Sequence, residues 1–242
     1  AVNMNAISDT VQTLAAVALF PSVIFLVIFS FASVNATEVL LWLCAAFLLI
    51  RILRTERVRL WIPFGIVAGL GMINKHTFVL YLSTALLALL FAPQRRLLFT
   101  KEFWFGMGVM LLIMLPNIIW EAANDFLSLE FYRNAMAFKN VPTPPLEVAF
   151  GQVVVQNPLT LPLWLGGLWL LCFGAGSNRC RPIAVSFLFL FAIMLISQSS
   201  RPDRIMSAYP VLFAAGAVLF ERATALLRYR APLCAACTAL LL

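Results

Sequence analysis

Residues 61–92 form a long apolar run that is interrupted near its middle by Asn74, Lys75 and His76. His76 is the only histidine of the chain, and Lys75 is one of three lysines. A cationic side chain inside hydrocarbon costs about 2.5 kcal/mol or more, so it normally faces a pore, a cavity or an interface. The triplet therefore lies either at bilayer depth for a purpose or at the tip of a hairpin at the membrane surface. The choice between these two fixes the topology.

The composition excludes a soluble domain. Of the 242 residues, 63% are hydrophobic and only 11% are charged, and the mean hydropathy is +0.97. A soluble fold cannot bury so much apolar surface, which predicts an all-α, polytopic integral membrane helix bundle surrounded by membrane lipids. In a soluble protein, the net charge of +7 would suggest nucleic acid as a partner. The arginines here lie in short loops between apolar runs, so we expect no nucleic acid.

Nine apolar runs predict about eight to nine transmembrane segments. They cover residues 11–33, 39–53, 61–73, 77–92, 103–120, 148–173, 183–197, 208–226 and 231–242. The last run has about 12 residues where a full span needs about 20. We therefore expect residues 1–242 to form a single transmembrane domain that is truncated at both ends. Cys234 and Cys237 have CxxC spacing inside the last run, where they are typical small helix residues, and no disulfide framework is predicted.

The distribution of arginine decides how often residues 61–92 cross the membrane. The loops at 51–59, 95–101, 179–181 and 222–230 are rich in arginine, and the others are not. A single span over 61–92 would place the first two basic loops on opposite sides, against the positive-inside rule. Two crossings place every basic loop in the cytoplasm and the triplet on the other face.

Two further features of the loops and helices follow from this topology. Gly65, Gly69 and Gly71 would allow close packing of the first arm of the hairpin. Residues 121–147 form the longest loop, where aromatic and charged residues alternate before Pro142. This composition predicts a helix lying in the interface, and the loop charges place residues 121–147 on the non-cytoplasmic face, which would be periplasmic in a bacterium.

Several polar residues on this face could carry chemistry. Lys75, Arg201 and Arg204 can each bind a phosphate, such as that of a lipid headgroup, or can anchor the chain by snorkelling. Glu38 is either an N-terminal acid stabilised by the helix dipole, with Asn35 or Thr37 capping the helix, or a carboxylate that serves acid–base chemistry or a divalent metal. With no second histidine, His76 cannot build a histidine-rich zinc site. The identity of any metal stays unknown, and no cofactor is required by the sequence.

The chain resembles a known family in five segments that occur in matching order: residues 33–38, 69–76, 115–120, 157–164 and 208–216. They are similar to bacterial members of glycosyltransferase family 39. These GT-C membrane enzymes are related to protein O-mannosyltransferases and the lipid A aminoarabinose transferase. The resemblance implies transfer of a sugar from a polyprenyl-phosphate donor to a lipid, glycan or protein acceptor. Transfer would take place at the periplasmic face of the bacterial inner membrane, with inversion at the anomeric carbon.

The resemblance also implies roles for individual residues. Lys75 would contact the donor phosphate, with Arg201 and Arg204 nearby, and Glu38 would support catalysis. Asn35, Asn74, His76 and Tyr209 would line the substrate pocket.

The chain departs from the family in two places. The main catalytic aspartate of the family lies in a loop that precedes position 1, so we expect the chain alone to be inactive. Residues 200–204 also replace a more usual aromatic-rich stretch.

A secondary transporter or lipid flippase is the alternative function. In that case, the triplet at residues 74–76 would be a helix break at a midplane site. The sugar, the acceptor and the oligomeric state are not indicated by the sequence.

Overall fold

The computed structural model describes residues 9–138, 141–174, 177–198 and 201–224. These residues form eleven α-helices and short 3₁₀ segments, with no strand among them. The α-helices are α1 (Asp9–Val17), α2 (Val23–Phe29), α3 (Val34–Thr55), α4 (Trp61–Asn74), α5 (Phe78–Leu90), α6 (Lys101–Ala123), α7 (Leu127–Phe138), α8 (Pro145–Val155), α9 (Leu161–Phe173), α10 (Arg181–Ile196) and α11 (Tyr209–Thr224). Large apolar side chains are exposed over much of the outside, which requires a lipid environment. The prediction of an all-α membrane helix bundle is confirmed.

The helices differ in whether they are long and apolar enough to cross a membrane. Three segments of the described chain are long and apolar enough to cross a bilayer: Val34–Thr55, Lys101–Ala123 and Pro202–Thr224. The number rises to five if each of two bent helix pairs is one span. This is fewer than the predicted eight to nine because several apolar runs form helices too short to qualify or are broken. The ninth run, with Cys234 and Cys237, lies outside the described residues.

Proline causes two of the breaks. The predicted run 11–33 divides into α1 and α2 at Pro21, and the run 148–173 divides into α8 and α9 at Pro158. The segments on either side of the second break meet at 89°. Asn157 has a φ of 69° there, and its side chain accepts a hydrogen bond from the Leu159 amide at 2.9 Å. A proline has no amide hydrogen and disfavours helical backbone at the preceding residue, so the chain turns at these points.

Residues 61–92 form two helices, as predicted. Lys75 is extended and ends α4, and α5 starts three residues later. Trp42 in α3 contacts Tyr81 in α5 with ring centroids 4.6 Å apart, one turn beyond the contact of Glu38 with Thr77. These contacts advance in the same direction along α3 and α5, so α5 runs parallel to α3.

The C-terminal end of α4 also meets the start of α3, through the hydrogen bond of Asn74 to the Val34 carbonyl. Helix α4 is therefore antiparallel to both α3 and α5. The fold thus brings the turn between α4 and α5 to the same end of the bundle as the start of α3.

Glycines allow close packing of α4, the first arm of this hairpin, mainly against α6 rather than against α5. A Cβ on Gly65 would lie 2.0 Å from the Gly106 carbonyl oxygen in α6, and one on Gly106 would lie 2.2 Å from the Trp61 oxygen. Gly69 also faces α6, whereas Gly71 faces the ring of Phe78 in α5. The predicted close packing is present, and its main partner is α6 rather than the second arm.

The two ends of the bundle differ in charge. The basic end consists of residues 51–60, 93–101 and 178–181, and the Lys75 end consists of residues 33–38, 74–77 and 201–209. Helix α3, with 22 residues, connects the two over about 33 Å at 1.5 Å per residue. Its buried residues Trp42, Ala46 and Leu49 form the core between them. Charged groups that are distant in sequence are thereby sorted into two separate clusters.

Candidate functional site

The Lys75 end contains a hydrogen-bonded network around one ammonium group. The Nζ atom of Lys75 donates to Glu38 Oε2 at 2.7 Å and to Asn35 Oδ1 at 2.9 Å. Thr77 Oγ1 donates to the other carboxylate oxygen of Glu38 at 2.5 Å. The structure therefore brings together three of the residues that the sequence singles out, and it adds Thr77.

Local backbone geometry explains why these side chains meet. Lys75 has an extended conformation that ends α4 and turns its side chain toward the first turn of α3. Asn74 fixes the turn because its Nδ2 donates to the Val34 carbonyl at 2.9 Å. The predicted capping by Asn35 or Thr37 is wrong, because α3 already begins at Val34 after Ser33. The Glu38 carboxylate bonds to side chains of the α4–α5 turn. The helix start thus supplies a carboxylate to the neighbouring turn.

Burial makes this ion pair strong and asymmetric. The side chain of Glu38 is 2% exposed, whereas that of Lys75 is 22% exposed. A buried carboxylate needs a cation and hydrogen-bond donors to offset the loss of water, and Lys75 with Thr77 provides both. A lysine ammonium has three N–H groups, of which two are used here. The third remains for a ligand that reaches Lys75 from the exposed side.

His76 joins α6 and α7 to the same region. Its Nε2 lies 3.4 Å from Asn117 Oδ1 in α6, and its ring centroid lies 6.1 Å from that of Tyr132 in α7. Burial raises the pKa of the Tyr132 phenol above its usual value, and the negative charge of Glu38 raises this pKa further. Tyr132 is therefore a neutral hydroxyl beside the ion pair at physiological pH.

A strained turn places α7 over this end. Asp125 and Phe126 both have positive φ values, of 54° and 55°. Glu121, at the end of α6, accepts hydrogen bonds from the amide of Ser128 at 3.2 Å and from its hydroxyl. These bonds offset part of the strain of left-handed residues, each of which costs about 1–3 kcal/mol. Helix α7 falls within the predicted interfacial helix, and its position in the membrane interface stays a prediction.

Arg201 and Arg204 also lie at the Lys75 end. Arg201 forms a two-pronged ion pair with Asp203, with Nε–Oδ1 and Nη2–Oδ2 distances of 2.9 Å. Asp203 is close enough to Lys75 for their charges to interact. Arg204 is close enough to Tyr132 for its charge to influence the pKa of the phenol. The two arginines, which the sequence groups with Lys75, are thus near it in space, and Asp203 is a partner that the sequence did not indicate.

Tyr209 lies behind this cluster rather than in an open pocket. It is fully buried, and its ring packs against Trp164 and Phe187 with centroids 5.5 and 5.3 Å away. Its hydroxyl donates to Gln152 Oε1 at 3.0 Å, and Gln152 Nε2 donates to the Pro202 carbonyl at 3.3 Å. These contacts position the segment that carries Arg204, and a direct contact of Tyr209 with substrate stays a prediction.

No group of three or more His, Cys, Asp or Glu side chains that could hold a metal occurs in the described ranges. Both oxygens of Glu38 already accept hydrogen bonds from side chains. The residues present are therefore a poor fit to the divalent metal that the sequence left open. The arrangement instead suits an anion, because it presents one partly exposed ammonium with an unused donor and two nearby guanidinium groups.

Sequence reasoning missed Thr77, Asn117, Tyr132 and Asp203. Thr77 starts an apolar run and looks like a helix residue. Asn117 lies within one of the segments that resemble the family, where Pro116 precedes it inside α6. Only the packing of α3, α6, α7 and residues 202–208 around the turn shows that these residues meet.

Comparison with known families gives a match over part of the chain. Residues 4–120 match the family described as dolichyl-phosphate-mannose-protein mannosyltransferase. That stretch contains Asn35, Glu38, Lys75, His76 and Asn117, but not the segment with Arg201 and Arg204. No curated protein and no solved structure matches the chain. This similarity over residues 4–120, just under half of the chain, supports a membrane glycosyltransferase of the GT-C type.

Proposed function

We propose that the chain is part of an enzyme that transfers a hexose or pentose from a polyprenyl-phosphate donor to a lipid, glycan or protein acceptor at the periplasmic face of a bacterial inner membrane. The observation that carries this proposal is the partly exposed ammonium of Lys75, which keeps one N–H unused while Glu38 and Asn35 hold it in place. The arginine-rich loops gather at the opposite end, which supports the periplasmic side for Lys75.

In the proposed reaction, an acceptor hydroxyl attacks the anomeric carbon while the bond from that carbon to the phosphate oxygen breaks. The electron pair of that bond stays on the phosphate, whose negative charge grows. Lys75 stabilises this charge by a short charge-assisted hydrogen bond, and Arg201 and Arg204 add to the local positive potential. The acceptor proton passes to a carboxylate general base, which the family resemblance gives as an aspartate.

Glu38 supports this chemistry as a positioning residue. Since its two oxygens bind Lys75 and Thr77, it is not arranged to take a proton from the acceptor. It fixes the ammonium at one place through a hydrogen bond of 2.7 Å. Asn35, Asn74 and His76 would line the pocket, with Tyr132 at its rim.

The test measures binding of undecaprenyl phosphate to the purified protein by native mass spectrometry. Lys75→Met should lower the affinity at least tenfold, because one charge-assisted hydrogen bond to a phosphate contributes about 1.5–3 kcal/mol. The measurement is made with excess phosphatidylglycerol, which competes for exposed cations elsewhere, so the matched control Lys101→Met at the basic end should bind as the original does. Unfolding followed by tryptophan fluorescence confirms that both variants are folded. Equal binding by a folded Lys75→Met variant contradicts the assignment of the phosphate to Lys75.

Activity is the second measurement. The natural protein carrying this chain, reconstituted with polyprenyl-phosphate sugars, should lose transfer on Lys75→Met and keep it on Lys101→Met. Unchanged turnover in the Lys75 variant would show that the ammonium does not act in the reaction.

A further inference from the structure

The basic end is assembled from three loops that are far apart in the sequence. Arg96 Nη2 contacts Glu56 Oε2 at 2.6 Å, which joins the loop after α5 to the end of α3. Arg179 Nη1 donates to the Arg54 carbonyl at 2.6 Å, and Gln94 Nε2 donates to the Asn178 carbonyl at 3.3 Å. Each loop is therefore tied to the other two, and their cations form one surface.

This surface carries a large excess of positive charge. The three loops hold nine basic residues and a single acid, Glu56. The basic residues are Arg51, Arg54, Arg57, Arg59, Arg95, Arg96, Lys101, Arg179 and Arg181, and all of their side chains are exposed. Neither Arg57 nor Arg59 takes part in an ion pair within the described part of the chain. Like charges held this close repel one another unless anions bind between them.

Exposed aromatic side chains surround the same surface. Phe91, Phe99 and Trp104 are 76%, 71% and 65% exposed and lie next to the basic loops. The Arg51 guanidinium carbon lies 5.6 Å from the centre of the Phe47 ring, which is also exposed. Tryptophan is enriched at the boundary between the hydrocarbon and the headgroups, so Trp104 marks that boundary here, and the phenylalanine rings near it are apolar. The cations next to them are therefore at the depth of lipid phosphates.

We propose that the basic end is a binding surface for the phosphate headgroups of anionic phospholipids. The tied loops present a ring of guanidinium groups at headgroup depth, and the aromatic side chains beside them contact the acyl chains. A soluble polyanion would bind the cations but would leave the exposed aromatic rings without a contact. This inference does not depend on the donor site at Lys75, which lies at the opposite end of α3.

The test compares lipid binding by the purified full chain in detergent, using native mass spectrometry. Dioleoyl phosphatidylglycerol is the anionic probe, and dioleoyl phosphatidylcholine is the probe with no net charge. The double variant Arg57→Gln/Arg59→Gln should bind phosphatidylglycerol more weakly by about fivefold per arginine, on the order of 25-fold together. Its affinity for phosphatidylcholine should not change. Arg133→Gln, which removes an exposed arginine from α7, is the matched control and should keep full affinity.

Two competition experiments distinguish an anionic phospholipid from a free phosphate or a soluble headgroup as the ligand. Millimolar inorganic phosphate and glycerophosphoglycerol, the soluble headgroup, should displace phosphatidylglycerol only weakly, because neither has acyl chains to contact the aromatic residues. Complete displacement by either would overturn the lipid assignment in favour of a simple phosphate site. Equal binding of the two lipids, or equal losses in the double variant and in Arg133→Gln, would also overturn it.

Discussion

Replacement of Lys75 by methionine should destabilise the fold because it leaves the buried carboxylate of Glu38 without a cation. The two charges are 2.7 Å apart, which corresponds to about 6 kcal/mol of attraction at an effective dielectric constant of 20. Desolvation offsets part of this attraction, and loss of one partner of a buried pair typically costs about 3–5 kcal/mol. Since the lysine side chain is 22% exposed, we expect the lower end, about 3 kcal/mol.

The reverse change should cost less. Glu38→Gln leaves a lysine that can still reach water and Asn35, so we expect about 1–2 kcal/mol. The double variant has no uncompensated charge, and its free energy of unfolding should fall by about 2 kcal/mol less than the sum of the single changes. This difference is the coupling energy of the pair.

Unfolding by sodium dodecyl sulfate in mixed micelles, followed by the fluorescence of the six tryptophans, measures these free energies. Lys101→Met is the control, because its side chain is exposed and makes no ion pair in the described ranges, and it should change stability by less than about 0.5 kcal/mol. Strict additivity of the two single changes would refute the reasoning, since it would mean that Lys75 and Glu38 do not stabilise each other.

Three other changes test the packing, the network and the topology. Gly106→Ala should destabilise by about 1–3 kcal/mol, since its Cβ would meet a backbone oxygen of α4 at 2.2 Å. Gly108→Ala, on the same helix with open space around it, should be neutral or slightly stabilising in the same micelle assay. Thr77→Val should cost about 1.5–3 kcal/mol by removing a donor from a buried carboxylate, and an unchanged stability would contradict that hydrogen bond. A cysteine at His76 should react with impermeant reagents only from the periplasmic side and one at Arg57 only from the cytoplasm, whereas access to His76 that alternates between sides would favour a transporter.

The sequence predicts the class of fold and the position of the central turn for a clear physical reason. Apolar runs cannot be soluble, and arginine in short loops is held on one side, so two crossings over residues 61–92 follow from local composition alone. The meeting of Asn35, Glu38 and Lys75 is a consequence of that topology, because α3 starts where α4 ends.

Packing between distant helices is what the sequence does not predict. Small residues in α4 indicate a close neighbour, but nothing local distinguishes α5 from α6 as that neighbour. Asp203 and Tyr132 contribute to the Lys75 end only through the placement of α7 and of residues 202–208. Polar residues in such segments look like ordinary loop residues until the tertiary contacts are known.

The cations at the two ends of the bundle differ in how they are paired with acids. At the Lys75 end, Lys75 and Arg201 are each held by an acid within 3 Å, at 2.7 and 2.9 Å. Such pairing weakens the field at long range but fixes each donor at one position, as recognition of a single phosphate requires. At the basic end, nine cations share one acid, so the field is strong, extended and open to salt screening. A cluster with so few acids would attract many headgroups without selecting one geometry, and we therefore propose that the donor is recognised at the less charged end of the bundle.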